Sequence, residues 1–386
     1  MYQHISEYQK IMREQNIAVS VLRLPQNLAL FTQYWSRNGY SYLVVPAVGD
    51  PSVIVPIAEE GDAKEARLDN IYVFDDIDMR AEDTNTQIKR IFIGLAAKYG
   101  ITPRSRIGLE LDYDVIAPCH CSGKVSLVGA KVKKLVEEGF GSANFVTVRD
   151  LLPDVMAVKN ESDIEKLKIV NDLTAQAMDR FVDMVNLPGV KEVDIVNEIE
   201  KFIQISARDY RGARVARAWG QLSTGKKGEI AACDGVVSDA RVLEKGDCCL
   251  YEIGVCVDGY WADITRSAVV GGATGRTKEM MDLIEKAFQA GVEAVRIGAT
   301  GRDIDLATRK VIEEAGYGPY YVHPAGHGVG FSYHESIPEL NPNSGDTLRE
   351  NMVIAIEPGL YVPGVGGLRK ELNILVTKEG GRVLGW

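Results

Sequence analysis

Apolar and polar residues along the first 150 positions follow two different periods. Short β-branched runs predict strands, and longer stretches with apolar residues three or four positions apart predict helices. The predicted helices cover residues 6–15 and 81–99, and the predicted strands cover residues 18–22, 42–46, 53–56 and 107–111. Because helices and strands take turns, we expect an α/β domain with a mixed sheet that ends near residue 150.

A different order of elements follows. Two helices are predicted at residues 160–185 and 191–206, and strands within residues 212–271. The order then repeats, with helices at 277–295 and 302–316 and strands from there onward. Ser162 lies three residues before Glu165, which is the spacing of a capping box at the start of the helix predicted at residues 160–185. The repetition predicts a pseudo-twofold symmetry within residues 151–386, with the functional site between the two halves.

Composition narrows the possible functions. The 386 residues suffice for two domains, and 46% hydrophobic with 25% charged residues is ordinary for a globular protein. A net charge of −10 argues against nucleic acid as a partner. No apolar run approaches the ~20 residues that span a bilayer, so no membrane partner is expected. The first residues lack a signal-peptide pattern and the six cysteines form no regular framework, so we expect a cytoplasmic protein with free thiols.

Residues 252–263 carry the most informative local pattern. Apolar residues flank Asp258-Gly259, which predicts two antiparallel strands joined by a two-residue turn. Such a hairpin would bring Glu252 and Asp263 side by side. Two adjacent carboxylates in apolar surroundings repel each other unless a cation or a shared proton joins them. The hairpin therefore suggests a site for a divalent metal ion.

Further candidate ligands lie downstream. Three of the five histidines, His323, His327 and His334, fall within twelve residues of each other. Glu357 and Glu371 both lie in strand-like apolar segments. An acid in such a segment is costly to bury unless it is paired or binds a metal. These residues strengthen the metal hypothesis.

Five blocks in this order resemble one known family. They are Glu252-Ile-Gly with Asp258-Gly-Tyr and Ala262-Asp-Ile-Thr-Arg, Gly326-His-Gly-Val-Gly, His334-Glu, Ile356-Glu-Pro-Gly, and Arg369-Lys-Glu. Together they resemble the pita-bread metallopeptidases, which include aminopeptidase P, prolidase, methionine aminopeptidase and the non-peptidase creatinase. The resemblance covers nearly the whole chain. It implies a creatinase-like N-terminal α/β domain over residues 1–150 and a pita-bread catalytic domain over residues 151–386.

The resemblance also implies the metal ligands. Two divalent ions are expected, with manganese favoured and cobalt, zinc or iron as alternatives. Glu252 would be a terminal ligand of one ion, His327 and Glu357 would bind the other, and Asp263 and Glu371 would bridge the two. Oxygen ligands with one imidazole suit such ions.

The remaining roles follow from the same resemblance. Glu357 would carry the proton of the attacking water, and His323 and His334 would hydrogen-bond the substrate or the tetrahedral intermediate. Arg369 is a candidate for substrate binding. The expected activity is that of a metal-dependent hydrolase of the Xaa-Pro dipeptidase or aminopeptidase P type, acting on a dipeptide or small molecule. The family also implies a homodimer.

The chain departs from the family pattern in two places. The first metal ligand of relatives is normally Asp, and Glu252 places its carboxylate ~1.5 Å further from the backbone. Relatives also have a histidine about seventeen residues before that ligand, whereas this chain has Cys233 and Asp234 there, and Asp234 could bind a substrate ammonium group. Trp35 and Arg37 match an aromatic-x-Arg of creatinase that binds a substrate carboxylate in the neighbouring subunit.

Two alternatives follow from these departures. The first is a creatinase-like or ectoine-hydrolase-like enzyme that cleaves a small non-peptide zwitterion with an altered or lost metal site. The second is a binding or scaffold protein that keeps the fold without catalysis. The retained ligand positions and the histidine cluster argue against the second alternative.

Overall fold

A computed structural model describes residues 2–36, 40–65, 68–77, 82–111, 129–208, 210–230 and 238–386. The chain divides into two compact units, Met1–Met156 and Ala157–Trp386. The boundary falls within the short helix α6 (Pro153–Ala157). Within the described residues, no helix is both long and apolar enough to cross a membrane.

The first unit is built on a six-stranded mixed sheet, as the alternating helices and strands predict. Its strand order is β4-β3-β2-β1-β5-β6, with β2 antiparallel to β1 and β3 and the other pairs parallel. The strands are β1 (Ile17–Leu22), β2 (Tyr42–Pro46), β3 (Ser52–Pro56), β4 (Ile71–Phe74), β5 (Arg106–Leu109) and β6 (Phe145–Thr147). The sequence did not predict β4 and β6, which are short.

The described part of the first unit also contains helices. They are α1 (Tyr2–Glu14), α2 (Pro25–Thr32), α3 (Glu60–Glu65), α4 (Thr84–Lys98) and α5 (Ala130–Phe140). Helix α4 begins where the Asp83 side chain accepts a hydrogen bond from the Thr86 backbone N–H. Its apolar face buries Ile88, Phe92 and Leu95 in the core beside the sheet. Helices α2, α3 and α5 are short and were not predicted.

In the second unit, two helices and a group of strands occur twice, as predicted. The helices are α7 (Glu161–Met184), α8 (Glu192–Ser206), α9 (Gly275–Ala294) and α10 (Gly301–Glu314). The predicted capping box of α7 is wrong: the side chains of Asn160 and Asp163 cap the backbone N–H groups of each other. Ser162 already lies inside the first turn, so it cannot be the N-cap residue.

The strands of the second unit form three sheets. The first has the order β7-β8-β9, with β7 (Ala216–Thr224), β8 (Cys248–Val257) and β9 (Tyr260–Val269). The second has the order β11-β10-β12-β15-β16, with β10 (Gly326–Gly328), β11 (Glu335–Leu340), β12 (Val353–Ile356), β15 (Leu372–Thr377) and β16 (Gly380–Val383). The third pairs β13 (Gly359–Val362) with β14 (Gly366–Arg369).

The predicted hairpin is confirmed. Strands β8 and β9 are antiparallel and are joined by Asp258 and Gly259, whose φ angles are 50° and 91°. Two positive φ angles in a two-residue loop are typical of the type I′ turn, which favours Asp-Gly. The register pairs Glu252 with Thr265 and Gly254 with Asp263. Residues two apart on a strand share a face, so Glu252 and Asp263 project from the same side of the sheet.

Candidate metal centre

Four of the predicted ligands come together in the second unit. Asp263 lies in β9, His327 in β10, Glu357 directly after β12, and Glu371 between β14 and β15. Their side chains are 1%, 8%, 16% and 2% exposed, respectively. An isolated bridge between Thr265 and Glu371 joins the hairpin to the strands that carry the other ligands.

The imidazole of His327 lies at the middle of the cluster. Its Nε2 atom lies 3.4 Å from Asp263 Oδ2, 3.8 Å from Glu357 Oε1 and 3.8 Å from Glu371 Oε1. Its Nδ1 atom lies 2.8 Å from the carbonyl oxygen of Gly328, which can only accept a hydrogen bond. Nδ1 therefore carries a proton, and Nε2 is directed toward three carboxylates.

The residues present fit a divalent ion. Within this cluster of described residues, three buried side-chain atoms have no hydrogen-bond partner, namely Asp263 Oδ1, His327 Nε2 and Glu371 Oε1. Unpartnered buried polar atoms are rare and call for an explanation. Here all three belong to predicted ligands that lie together, and carboxylate oxygens with one imidazole are a suitable donor set for such an ion. Among the described residues, Asp263 with His327 and His334, and His327 with Glu357 and Glu371, form groups that could hold an ion.

The electrostatics of the cluster agree with this interpretation. Burial, reinforced by the charge of Asp263, raises the pKa of Glu357 to about 7. Burial and the same neighbour raise the pKa of Glu371 well above its usual value. For Asp263, the effect of burial is outweighed by His327 and His334, and its pKa falls to about 2. Carboxylates buried this closely repel one another, and a cation would relieve that repulsion.

A second layer of hydrogen bonds orients the ligands. Thr265 Oγ1 donates to Glu371 Oε2 at 2.7 Å, which leaves Glu371 Oε1 directed into the cluster. Asn373 Nδ2 donates to the Asp263 carbonyl at 2.8 Å, and its Oδ1 accepts from the Asp263 N–H at 3.2 Å. Such partners fix the orientation of metal ligands. The sequence did not predict Thr265, although strand alternation places it on the same face as Asp263.

His334 lies against the ligands. Its Nε2 atom lies 3.1 Å from Asp263 Oδ2, and its ring stacks on that of His327 with centroids 3.6 Å apart. Burial and the nearby His327 lower its pKa. A neutral His334 can donate a hydrogen bond either to Asp263 or to a bound substrate. Its predicted contact with the substrate remains a prediction.

Glu252 is held by side chains other than the four predicted ligands. Its Oε2 atom accepts from Arg369 Nη2, and its Oε1 atom accepts from the Tyr333 hydroxyl at 2.6 Å. Glu252 is therefore not part of either potential ion-binding group among the described residues. The ligand role predicted for it remains a prediction.

Arg369 is buried, with 6% exposure, and its guanidinium is held on several sides. Besides pairing with Glu252, it donates to Thr265 Oγ1 at 3.0 Å and to the Tyr361 hydroxyl at 3.1 Å. Its predicted role in substrate binding remains a prediction. Tyr333 and Tyr361 were not predicted, because a lone tyrosine gives no signal in the sequence.

His323 lies beyond Tyr361. Its Nδ1 atom lies 2.8 Å from the Pro324 carbonyl oxygen, so Nδ1 carries the proton. Its Nε2 atom accepts a hydrogen bond from the Tyr361 hydroxyl at 3.0 Å. Burial and the positive charge of Arg369 lower the pKa of His323 to about 3, so this imidazole is neutral near pH 7.

The remaining predicted substrate-binding residues are Trp35, Arg37 and Asp234. Trp35 is half-buried and belongs to the first unit. Arg37 and Asp234 lie outside the described residues. Their predicted roles remain predictions.

The α/β fold and the convergence of four predicted ligands are those expected of a metal-dependent hydrolase. The model of metallopeptidase family M24 matches residues 165–378, which is more than half of the chain. The chain therefore belongs to metallopeptidase family M24, and the predicted family and fold class are confirmed. Divalent metal ions are the cofactors that this family implies.

Similar proteins that carry the name of a peptidase support the assignment to this family. The Xaa-Pro dipeptidase of Pyrococcus furiosus is 28% identical over 70% of this chain and 75% of its own length. The Xaa-Pro dipeptidase of Pyrococcus horikoshii is 33% identical over 62% of this chain and 66% of its own length, slightly less than two thirds. An uncharacterised peptidase of Staphylococcus aureus is 31% identical over 67% of this chain and 70% of its own length.

Solved structures share the fold along nearly the whole chain. The Xaa-Pro dipeptidase of Bacillus anthracis superposes with a TM-score of 0.80 at 24% identity and covers 100% of this chain and 97% of that one. The N-terminal domain of the chickpea FACT complex subunit SPT16 superposes with a TM-score of 0.73 at 16% identity, over 100% of this chain and 95% of that one. At these identities the likeness shows the fold alone.

Proposed function

We propose that this protein is a metal-dependent dipeptidase that hydrolyses the peptide bond before proline in Xaa-Pro dipeptides. The observation that carries the proposal is the convergence of Asp263, His327, Glu357 and Glu371 around three buried atoms without hydrogen-bond partners. The names of relatives that match along most of the chain support this substrate class.

In this proposal each side chain has a definite task. Asp263, His327, Glu357 and Glu371 would hold the metal, which when bound lowers the pKa of a water molecule and polarises a carbonyl group. Glu357 would take a proton from the water that attacks the carbonyl carbon and would deliver it to the proline nitrogen as the C–N bond breaks.

The polar side of the cluster would orient the substrate. Arg369 donates to the Tyr361 hydroxyl, which donates to His323, so the three side chains form one fixed chain of hydrogen bonds. His323 remains neutral and would position the dipeptide without exchanging a proton. His334, next to Asp263, would contact the reacting carbonyl group.

For the metal itself, we propose two binding steps of unequal affinity. One ion would bind tightly to Asp263, His327, Glu357 and Glu371. The second ion predicted from the sequence needs Glu252 as a terminal ligand, and Glu252 is engaged by Arg369 and Tyr333. The second ion would therefore bind more weakly. Manganese is the proposed metal, with cobalt, zinc and iron as alternatives, because the ligands are mostly hard oxygen atoms.

The setting of the enzyme is proposed on sequence grounds. We expect a cytoplasmic protein that acts on a dipeptide or small molecule and has no nucleic-acid or membrane partner. We expect a homodimer in which Trp35 and Arg37 of one copy contribute to substrate binding in the other.

The test is hydrolysis of Gly-Pro and Phe-Pro by the full chain. After removal of metal by a chelator, activity should disappear, and it should return when manganese is added. Glu357→Gln should reduce kcat by at least about a hundredfold, as expected for loss of a general base. Glu379→Gln, in an exposed turn, is the matched control and should retain full activity. Wild-type protein that cleaves no Xaa-Pro dipeptide in the presence of manganese would contradict the proposal.

A further inference from the structure

The sheet face that carries Asp263 extends to an aromatic residue on another strand. The register pairs Trp219 of β7 with Gly254 of β8, and Gly254 with Asp263 of β9. Residues paired across antiparallel strands project from the same face. Since neighbouring strands lie about 4.8 Å apart, Trp219 stands roughly 10 Å from Asp263 along that face.

Gly254, between these two residues, makes room for another ring. A Cβ atom at position 254 would lie 2.7 Å from Cε2 of Tyr333, closer than real Cβ contacts occur. The ring of Tyr333 therefore lies directly over the Gly254 backbone. Its hydroxyl donates to Glu252 Oε1 at 2.6 Å, which fixes the ring in this place.

Trp219, Trp261 and Tyr333 form a continuous row of rings, here called the aromatic wall. Trp219 stacks on Trp261 with centroids 5.3 Å apart, and Trp261 meets Tyr333 edge to face at 5.9 Å. Tyr333 in turn stacks on His334 at 4.7 Å. The aromatic wall thus begins at the histidine that contacts Asp263 and leads away from the cluster.

The far end of the wall is accessible. Trp219 is half-buried, whereas Trp261 is only 9% exposed. The three side chains carry no charge, and aromatic faces bind apolar and aromatic groups well.

We propose that the aromatic wall is the subsite for the side chain of the first residue of the dipeptide and that it selects apolar and aromatic residues there. The proposal rests on the proposed function. In an Xaa-Pro dipeptide the proline is constant, so the first residue is the only side chain for which selectivity can arise. The other side of the cluster, with His323, Tyr361 and Arg369, is polar and does not suit an apolar side chain.

Steady-state kinetics on Phe-Pro and Gly-Pro test the proposal. In wild-type protein, kcat/KM should favour Phe-Pro. Trp219→Ala should reduce the ratio of kcat/KM for Phe-Pro to that for Gly-Pro by about tenfold, mainly through a higher KM for Phe-Pro. Trp219→Phe, which keeps an aromatic face, should restore most of the ratio. Trp386→Ala removes another partly exposed tryptophan of the second unit and should leave the ratio unchanged.

The possible outcomes separate this proposal from the proposed function. If wild-type protein hydrolyses both dipeptides but Trp219→Ala leaves the ratio unchanged, the aromatic wall is not the subsite, and the peptidase proposal stands. An equal fall for both substrates in Trp219→Ala and Trp219→Phe would likewise overturn the subsite, because it indicates a general structural role. If wild-type protein hydrolyses neither dipeptide, the proposed function fails, and the subsite fails with it.

Discussion

Replacing Glu252 by Asp is expected to strengthen the binding of a second divalent ion. In the wild-type protein, both carboxylate oxygens of Glu252 are engaged by Arg369 and Tyr333, and we expect Glu252 to leave these partners when it binds an ion beside Asp263. Arg369 is 6% exposed, and removing the carboxylate partner of a buried charge costs about 3–5 kcal/mol. At 1.4 kcal/mol for each factor of ten, this cost weakens the second ion roughly a hundred- to several-thousandfold.

An aspartate at position 252 changes this balance. Its carboxylate lies ~1.5 Å closer to strand β8, beside Asp263, and no longer holds Arg369 in the same way. In this variant the ion pair with Arg369 is already lost in the metal-free protein. The loss therefore lowers the stability of the metal-free protein and no longer opposes binding of the second metal ion. We therefore expect a lower melting temperature without metal and a larger rise in melting temperature when manganese is added.

The assay is calorimetric titration of metal-stripped protein with manganese, followed by elemental analysis after gel filtration. Wild-type protein should retain one equivalent at low free manganese, and Glu252→Asp should retain two. Glu198→Asp makes the same chemical change in helix α8, where Glu198 pairs with Arg180, and should behave as wild type. Two ions of comparable affinity in wild-type protein, or a single ion in Glu252→Asp, would refute this reasoning.

Three further predictions concern the surroundings of the site. The pKa of His323 is lowered to about 3 in the folded protein, whereas a histidine in the unfolded chain binds its proton near pH 6.5. The free energy of unfolding should therefore decrease as pH falls from about 6.5 toward 3, because only the unfolded chain binds the proton in this range. In urea-unfolding experiments at a series of pH values, His323→Gln should make this decrease smaller. Lys159 and Glu335 form a buried ion pair, so Lys159→Met should lower the free energy of unfolding by about 3–5 kcal/mol, and adding Glu335→Leu should recover most of the loss. Thr265→Val removes the hydrogen bond to Glu371 and should weaken metal binding about tenfold in competition with a chelator.

Each of these predictions has a result that contradicts it. The His323 prediction would be contradicted if NMR showed that its imidazole titrates between pH 5 and 8 in the folded protein. For the ion pair, a double variant no more stable than Lys159→Met alone would show that the uncompensated carboxylate is not the cause. For Thr265, unchanged metal affinity would contradict the prediction, and Thr377→Val, at the end of β15 away from Glu371, serves as its control.

The parts of the fold that were predictable from the sequence depend on local signals. The hairpin was predictable because Asp258-Gly259 and the flanking apolar residues agree on one turn and one register. The long helices were predictable from their apolar period, but the capping box of α7 was misplaced because Asn160 and Asp163 have the same three-residue spacing as Ser162 and Glu165. Short elements such as α2 and β4 offer too few residues for a period to be recognised.

The site was partly predictable for a different reason. Its acids and histidines are residue types that are unusual in apolar segments, so they stand out without a structure. The partners of Glu252 do not stand out in the same way. Tyr333 and Arg369 lie 81 and 117 residues away along the chain, and only the folded structure shows that they hold its carboxylate.

The two-residue turn at Asp258 and Gly259 also limits how the chain can vary in length. Side chains alternate between the faces of a strand, so one residue inserted into the hairpin would turn Asp263 to the opposite face, away from His327. An insertion at an exposed turn such as Lys378-Glu379 moves no ligand. We therefore expect natural variants of this protein to gain and lose residues at its outer turns, while the spacing between positions 252 and 263 stays constant.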